Sequence, residues 1–215
     1  MLVPAPPSPP AAPMPLGFDA ATASSALTAP SHTKLKVWRR SLNVLEGSRA
    51  SVTGVLRSSS RIPLGRRAVV LQGLKRGHWR TLSSTRTNAA GHFSLRYTPQ
   101  RLRSEVVRVR FGGDTLDSPT SRRLGRLNVY HLAGASWYGG GGGLACGGTL
   151  TDATLGVANK TLPCGTFVTL RYGSRSVRVQ VIDRGPYVAG REYDLTVATK
   201  AALGFGDTGD VWATR

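Results

Sequence analysis

Apolar and polar residues alternate in short segments along most of the chain. In the segment VVRVRF, the apolar side chains of Val107, Val109 and Phe111 fall on one face, and Arg108 and Arg110 fall on the other. This period of two is typical of a half-buried β-strand. About seven such segments, separated by turn residues, occur within residues 34–130. They predict a two-sheet β-sandwich over this range.

The last 85 residues predict a second, smaller unit. TFVTLRY and SVRVQVI alternate as strands, and TGDVWAT supplies a closing strand. Between them, Leu195 to Leu203 carries apolar residues at helical spacing, and Gly204 is a stop signal. Six or so strands with one short helix predict a small closed barrel over residues 131–215. The chain is therefore mainly β.

Residues 1–33 have a different composition from the rest of the chain. They are rich in Pro, Ala, Ser and Thr and have few large apolar side chains, so burial offsets little of the entropy cost of ordering them. We expect a disordered tether, acting either as a spacer or as a plain tail. The first residues lack the basic and long apolar regions of a signal peptide. No apolar run is long enough to span a membrane.

Positive charge is concentrated in the first part of the chain. The net charge is +18; residues 1–130 hold 21 Lys and Arg against 5 Asp and Glu, whereas residues 131–215 hold 8 against 6. We expect the basic part to attract anionic polymers, such as those of a cell wall. No zinc-finger spacing, aromatic RNA-binding motif or basic heptad helix predicts a specific nucleic-acid site.

Two cysteines, Cys146 and Cys164, both lie in the last 85 residues. Each lies in a turn-forming context, ACGG or PCGT, so the pair is well placed for one disulfide. A disulfide would indicate an extracytoplasmic compartment, secreted or associated with the cell wall. Two reduced, buried thiols are the alternative interpretation.

The segment VIDRGPYVAGREYDLT carries the candidate chemistry. Asp183 ends an alternating apolar run, and Asp194 follows eleven positions later at the start of the predicted helix. Gly185, Pro186 and Gly190 between them favour tight turns. A strand that ends in one acid and a turn that delivers another would bring both carboxylates to one rim of a sheet.

Five motifs of this region occur together and in order: ASWYGG from Ala135, LACGGTL, VANKTLPCGT, VIDRGPYVAGREYDLT and GDTGDVWAT. In this combination the region resembles the RlpA-like double-psi β-barrel of septal lytic transglycosylases, which is related to expansins. The resemblance covers roughly residues 131–215. It implies a six-stranded barrel with a polysaccharide groove lined by Asp183 and Asp194.

The resemblance also implies an activity. Lytic transglycosylases cleave peptidoglycan glycan strands without water and leave 1,6-anhydromuramic ends. Asp183 would act as the leading acid and base, with Asp194 as its partner. Five further residues are candidates for binding the glycan: Trp137, Tyr138, Asn159, Arg184 and Tyr187. The alternative function is an expansin-like module that binds or loosens glycan without cutting it.

The chain departs from the lytic pattern at two positions. Gly148 replaces an acidic residue of lytic relatives, and Asn159 replaces a histidine. Asparagine forms hydrogen bonds but does not shuttle protons. The two aspartates also have structural interpretations: Asp194 could be a helix N-cap, and Asp183 could form a turn or pair with Arg184.

Two segments of the sandwich, TRTNAAGHFSLRYTP and VRFGGDTLDSPTSR, resemble bacterial immunoglobulin-like repeat modules. Trp38 and Trp79 of this unit could anchor the core or stack on carbohydrate. None of the four histidines has metal-ligand spacing, and the glycine run lacks the residues of a nucleotide-binding loop. We therefore expect neither a metal nor a cofactor.

Overall fold

The structure is a computed structural model that describes residues 1–2 and 29–215. The tether predicted over residues 1–33 lies outside the described residues except at its two ends. The described part of the chain contains fifteen strands and one helix. Within it, no helix is both long and apolar enough to cross a membrane.

The first eight strands, in chain order, are β1 (Thr33–Ser41), β2 (Asn43–Leu45), β3 (Ala50–Ser58), β4 (Ala68–Lys75), β5 (His78–Arg86), β6 (His92–Tyr97), β7 (Arg103–Phe111) and β8 (Thr120–Tyr138). The remaining elements are β9 (Gly142–Gly143), β10 (Thr149–Leu150), β11 (Val157–Ala158), β12 (Phe167–Tyr172), β13 (Arg175–Asp183), β14 (Tyr193–Thr196), α1 (Val197–Leu203) and β15 (Gly209–Ala213).

The first unit is a β-sandwich. One sheet has the order β1-β3-β6, and β5-β4-β7-β8 forms the other, with β2 paired to β8. Alternate residues of both sheets meet in one core, including Val52 and Leu95 from the first sheet and Leu71 and Val109 from the second. The two-sheet prediction is confirmed in this respect, and the immunoglobulin-like relationship remains a prediction.

The second unit is a closed ring of six strands. The strands follow the order β14-β11-β13-β12-β15-β8, and a further pairing of β14 with β8 closes the ring. Buried side chains from these strands fill its centre, among them Val168, Leu170, Val181, Leu195 and Val211. A mainly β fold with a six-stranded barrel agrees with the sequence-based prediction.

Strand β8 is shared by both units. Its first part pairs with β7 as far as Val129, and its last part pairs with β15 from His131 onwards. The predicted boundary between residues 130 and 131 therefore lies inside a strand. Tyr130 at this point is fully buried, and its ring packs against that of Trp212, with 5.7 Å between the ring centres.

Helix α1 begins two residues later than the sequence predicts. Thr196 is the N-cap and its hydroxyl accepts a hydrogen bond from the Thr199 amide. Gly204 ends the helix in the left-handed conformation, with a φ of 63°, as the sequence predicts. The N-cap interpretation of Asp194 is wrong, because Asp194 is paired in β14.

A histidine and a glutamate form a side-chain contact at the junction of the two units. His131 Nε2 is 2.9 Å from Glu192 Oε2. The hydrogen bond to Glu192 raises the pKa of His131, and this outweighs the opposing effect of partial burial. Because the folded-state pKa exceeds the unfolded value of about 6.5, the stabilisation is fully present below that value and is lost as pH rises through the folded-state pKa.

We expect Glu192→Gln to lower the free energy of unfolding more at about pH 5 than at about pH 9, because protonated His131 gains more from the carboxylate than the neutral ring does. Urea unfolding across this range measures the difference. In His131→Asn, which lacks the titrating group, the effect of Glu192→Gln should vary little with pH. An equal loss at both pH values in the wild-type background would contradict this prediction.

Candidate active site

The two candidate acids lie in one row across adjacent strands of the barrel. Asp183 on β13 pairs with Ala158 on β11, Ala158 pairs with Asp194 on β14, and Asp194 pairs with Ser136 on β8. Paired residues of neighbouring strands present their side chains to the same face. With a strand spacing of about 4.8 Å, the Cα atoms of the two acids are about 10 Å apart, separated by the small side chain of Ala158.

A register shift brings Asp183 into this row. Val157 pairs with Val181, but the next residue, Ala158, pairs with Asp183, so β13 contains one extra residue, Ile182. Without the shift, Asp183 would follow Val179 and Val181 toward the core, because side chains alternate between faces. Gly156 accommodates this bulge, since a Cβ there would lie 2.2 Å from Cδ1 of Ile182.

The carboxylate of Asp183 is fixed by backbone groups. Its Oδ1 accepts hydrogen bonds from the Ala145 amide at 2.9 Å and from the Arg184 amide at 2.8 Å. The disulfide Cys146–Cys164, predicted from the sequence, holds the segment that contains Ala145, and the Cys146 amide also donates to the Ile182 carbonyl. Cys146 of the disulfide is thus adjacent in sequence to Ala145, whose backbone amide orients Asp183.

Asp194 is held by a side chain instead. Its Oδ1 accepts a hydrogen bond of 2.6 Å from the buried hydroxyl of Ser136. Sequence reasoning missed Ser136, although the alternation of β8 places it on the same face as Tyr138. Both acids are partly exposed, so each remains accessible to a ligand on this face.

Tyr138 lies two residues beyond Ser136 on the same face of β8. Its hydroxyl is buried and has no hydrogen-bond partner among the described residues. Burial raises the pKa of Tyr138, and the charges of Asp183 and Asp194 raise it further. Proximity of the phenol to Asp183 adds to this shift, although no hydrogen bond of ordinary geometry joins the two groups. The phenol therefore stays protonated and can donate a hydrogen bond at this site.

Arg184 and Asn159 organise the loop that follows β11. The Arg184 guanidinium donates to the carbonyls of Asn159 and Leu162 at 3.2 and 3.1 Å and lies 3.0 Å from Cys164 Sγ. Asn159 is only 3% exposed; its side chain accepts from the amides of Thr161 and Leu162 and donates to the Glu192 carbonyl. These contacts hold both side chains within the protein.

The two aromatic candidates outside this row have separate surroundings. Trp137 alternates with Tyr138 and projects from the opposite face of β8. Its indole nitrogen donates to Asp207 at 3.0 Å, and Lys200 Nζ lies 3.9 Å from its ring centre. Tyr187 is 80% exposed in the turn after β13. The structure therefore brings together Asp183, Asp194 and Tyr138, but not Trp137.

Gly148 lies in the turn that precedes β10. It has a φ of 87°, and its carbonyl accepts a hydrogen bond from the Leu144 amide. The left-handed conformation is one that residues with a side chain rarely adopt. Among the described residues, no group of three or more His, Cys, Asp or Glu side chains is arranged to hold a metal ion.

Comparisons with known proteins agree with this geometry. Residues 132–212 match the model of a family described as "Lytic transglycolase". This range spans the six strands of the ring almost completely. The C-terminal unit is an RlpA-like double-psi β-barrel.

Several relatives are similar in sequence to part of this chain. A "Probable endolytic peptidoglycan transglycosylase RlpA" from Aquifex aeolicus is 41% identical over 33% of this chain and 33% of its own length. A protein of the same name from Synechocystis sp. is 35% identical over 42% of this chain and 33% of its own length. "Endolytic peptidoglycan transglycosylase RlpA" from Pseudomonas aeruginosa strain UCBPP-PA14 is 38% identical over 38% of this chain and 26% of its own length. The chain thus spans about a third or less of these relatives.

We expect the double substitution Cys146→Ser and Cys164→Ser to lower the free energy of unfolding by about 3 kcal/mol, because the disulfide constrains the unfolded chain. It should also speed hydrogen exchange of the Ala145 amide, since its segment loses the anchor beside Asp183. Urea unfolding and amide exchange measure the two effects, and the reduced wild-type protein provides a matched control. Unchanged exchange at Ala145 would show that the disulfide does not orient this acid.

Proposed function

We propose that the RlpA-like barrel cleaves the glycan strands of peptidoglycan by lytic transglycosylation, with Asp183 as the leading acid and base. The observation that carries this proposal is the row in which Asp183 and Asp194 face the same side, with the Tyr138 hydroxyl close to both. The names of the relatives support the same reaction class.

The reaction needs one proton donor and one proton acceptor, and a single carboxyl group can serve as both in turn. Protonated Asp183 would donate its proton to the glycosidic oxygen as the bond from the muramic acid C1 breaks. The ionised carboxylate would then accept the proton of the C6 hydroxyl as that oxygen bonds to C1. The product is a 1,6-anhydro ring, and no water is consumed.

The other two groups of the row would support this exchange. Asp194, held by Ser136, would place a second negative charge near the sugar ring, where positive charge develops. Tyr138, whose hydroxyl is buried, would donate its unused hydrogen bond to the carboxylate of Asp183. Tyr187, exposed in the adjacent turn, would offer its ring to an apolar sugar face.

The second candidate function is a non-catalytic, expansin-like glycan-binding module. One observation favours it: the positions at which lytic relatives carry an acid and a histidine are Gly148, which has no side chain, and Asn159, whose side chain is committed to the loop. A barrel with these two positions would still present a polar face to glycan.

We also propose that the basic sandwich contributes a diffuse attraction to anionic wall polymers. Arg103 and Arg126 of the sandwich and Arg178 of the barrel line a cleft of about 780 Å³ between the two units. Of these, Arg126 and Arg178 form no salt bridge within residues 29–215. Such attraction would weaken with ionic strength. Together with the disulfide, it fits a protein that acts outside the cytoplasm.

We expect Asp183→Asn to lower the yield of 1,6-anhydromuramic ends about 100-fold or more, because the amide cannot donate the required proton. Asp194→Asn should retain more activity. Purified peptidoglycan is incubated with each variant, and the released fragments are analysed by mass spectrometry. Co-sedimentation of the wild-type protein with peptidoglycan, without any new anhydro ends, would instead support the binding module.

We expect Tyr138→Phe to reduce the cleavage rate about 10-fold, because the variant lacks one hydrogen bond to a charged or reacting group. The free energy of unfolding should change little, because the hydroxyl has no hydrogen-bond partner within residues 29–215. Initial rates and urea unfolding measure the two quantities. Unchanged rates would mean that this hydroxyl takes no part in the reaction, and a large loss of stability would point to an unseen structural role.

A further inference from the structure

The sandwich presents a shallow depression with an aromatic side chain at one edge. Its volume is about 660 Å³, and it lies on the outer face of the β1-β3-β6 sheet and the neighbouring β5. The residues that matter here are Trp38, Arg39, Arg86, Asn88, His92 and Ser94. None of them belongs to the site described in the barrel.

Trp38 is directed into this depression by an irregularity of β1. Val37 pairs with Gly54 and Arg39 pairs with Thr53, so Trp38 is an extra residue without a partner on β3. Bulges of this kind re-aim side chains and are common beside functional sites. Gly54 permits the bulge, because a Cβ there would lie 2.3 Å from the Lys36 carbonyl oxygen.

The indole is exposed but held in a defined position. Trp38 is 53% exposed, and its ring meets that of His92 edge-on, with 5.4 Å between the ring centres. It does not belong to the core of the sandwich. By contrast, Trp79 lies beneath the Arg108 guanidinium, 4.0 Å from its ring centre. Of the two tryptophans singled out in the sequence, Trp38 is the one that keeps a surface available to a ligand.

The groups around the indole suit a charged sugar. Ser94 and Thr53 add hydroxyl groups to the lining of the depression. Arg39 and Arg86 add positive charge to it, and Arg39 forms no salt bridge within residues 29–215, whereas Arg86 donates to the Arg66 carbonyl. An aromatic ring binds the apolar face of a pyranose, hydroxyls bind its ring substituents, and a guanidinium binds a carboxylate.

We propose that the sandwich binds a carboxylate-bearing polysaccharide at this depression, with one pyranose ring stacked on Trp38 and its carboxylate directed to Arg39. This goes beyond the proposed cleavage, because it assigns a separate glycan site to the other unit. The site would hold the protein on its polymer whether or not the barrel cuts.

The test uses the full chain carrying Asp183→Asn, so that cleavage does not disturb binding. Hyaluronan oligosaccharides serve as the carboxylate-bearing probe and chitin oligosaccharides as the neutral one, with affinity measured by calorimetry and by tryptophan fluorescence. We expect Trp38→Ala to weaken hyaluronan binding about 10-fold or more, as for loss of an aromatic stacking surface. Trp38→Phe should retain part of the affinity.

Two matched variants separate the contributions. Arg39→Ala should weaken binding of hyaluronan but not of chitin oligosaccharides, because only the former carries a carboxylate. Trp79→Phe should leave both affinities unchanged, because that ring is already covered by Arg108. Thermal unfolding of each variant identifies any loss of affinity that comes from misfolding. If Trp38→Ala misfolds, the affinity of the milder Trp38→Phe variant is used instead.

The proposal is overturned if Trp38→Ala binds hyaluronan as tightly as the parent protein, or if the parent binds neither probe. Preference for chitin oligosaccharides, unaffected by Arg39→Ala, would overturn the assignment of a carboxylate. Failure of the barrel to cleave would leave these binding results unaffected, so the two proposals are tested separately.

Discussion

The pairing of β14 with β8 is the constraint on which the rest of the barrel depends. It closes the ring of six strands and sets Asp194 beside Ser136. Closure leaves no free strand edge in the ring, and every strand can bury its inward side chains in one core. Because β11 pairs with both β13 and β14, Asp183 lies two strands away from Asp194, with Ala158 between them. The site therefore depends on the order of the strands, because its two acids lie on different strands.

The continuity of β8 joins this barrel to the sandwich. One strand of 19 residues belongs to both units, and it exchanges β7 for β15 as its partner around Tyr130. The buried Tyr130 donates to Asn43 on the sandwich side and packs on Trp212 on the barrel side. A continuous strand is a stiffer connection than a flexible linker. In our proposals, this connection would keep a glycan held by the sandwich at a defined distance from the barrel.

Local patterns in the sequence were sufficient to predict much of this fold. The alternation of SVRVQVI identified β13, the turn contexts of Cys146 and Cys164 identified the disulfide, and the motifs identified the barrel. The sequence predicts a helix that starts two residues too early, because Leu195 fits both a helical face and the inward face of a strand. In the structure, Leu195 pairs with Val157 and Trp137 and is therefore part of a strand. Pairing between residues so far apart in the chain cannot be detected in a local pattern.

The site itself was harder to predict for the same reason. The extra residue Ile182, which turns Asp183 away from the core, is invisible in an alternating run that simply ends in an acid. The motif around Asn159 predicts a groove residue, yet its side chain accepts hydrogen bonds within its own loop and donates one to the carbonyl of the distant Glu192. Ser136 donates its hydrogen bond to Asp194 only because the parallel pairing of β8 and β14 places the two residues side by side. In each case, a contact between distant segments determines what the side chain can do.

The electrostatics of the row bear on how a barrel without the histidine could work. Burial opposes the ionisation of Tyr138, and both carboxylates act in the same direction. The phenol is thus kept neutral near the two acids, as a donor whose hydrogen bond has no partner among the described residues. A donor fixed in this way costs no reorganisation when charge develops beside it. In the proposed reaction the attacking hydroxyl belongs to the substrate, so no further base is needed to activate water, and one carboxyl group with such a neighbour provides the necessary proton transfers.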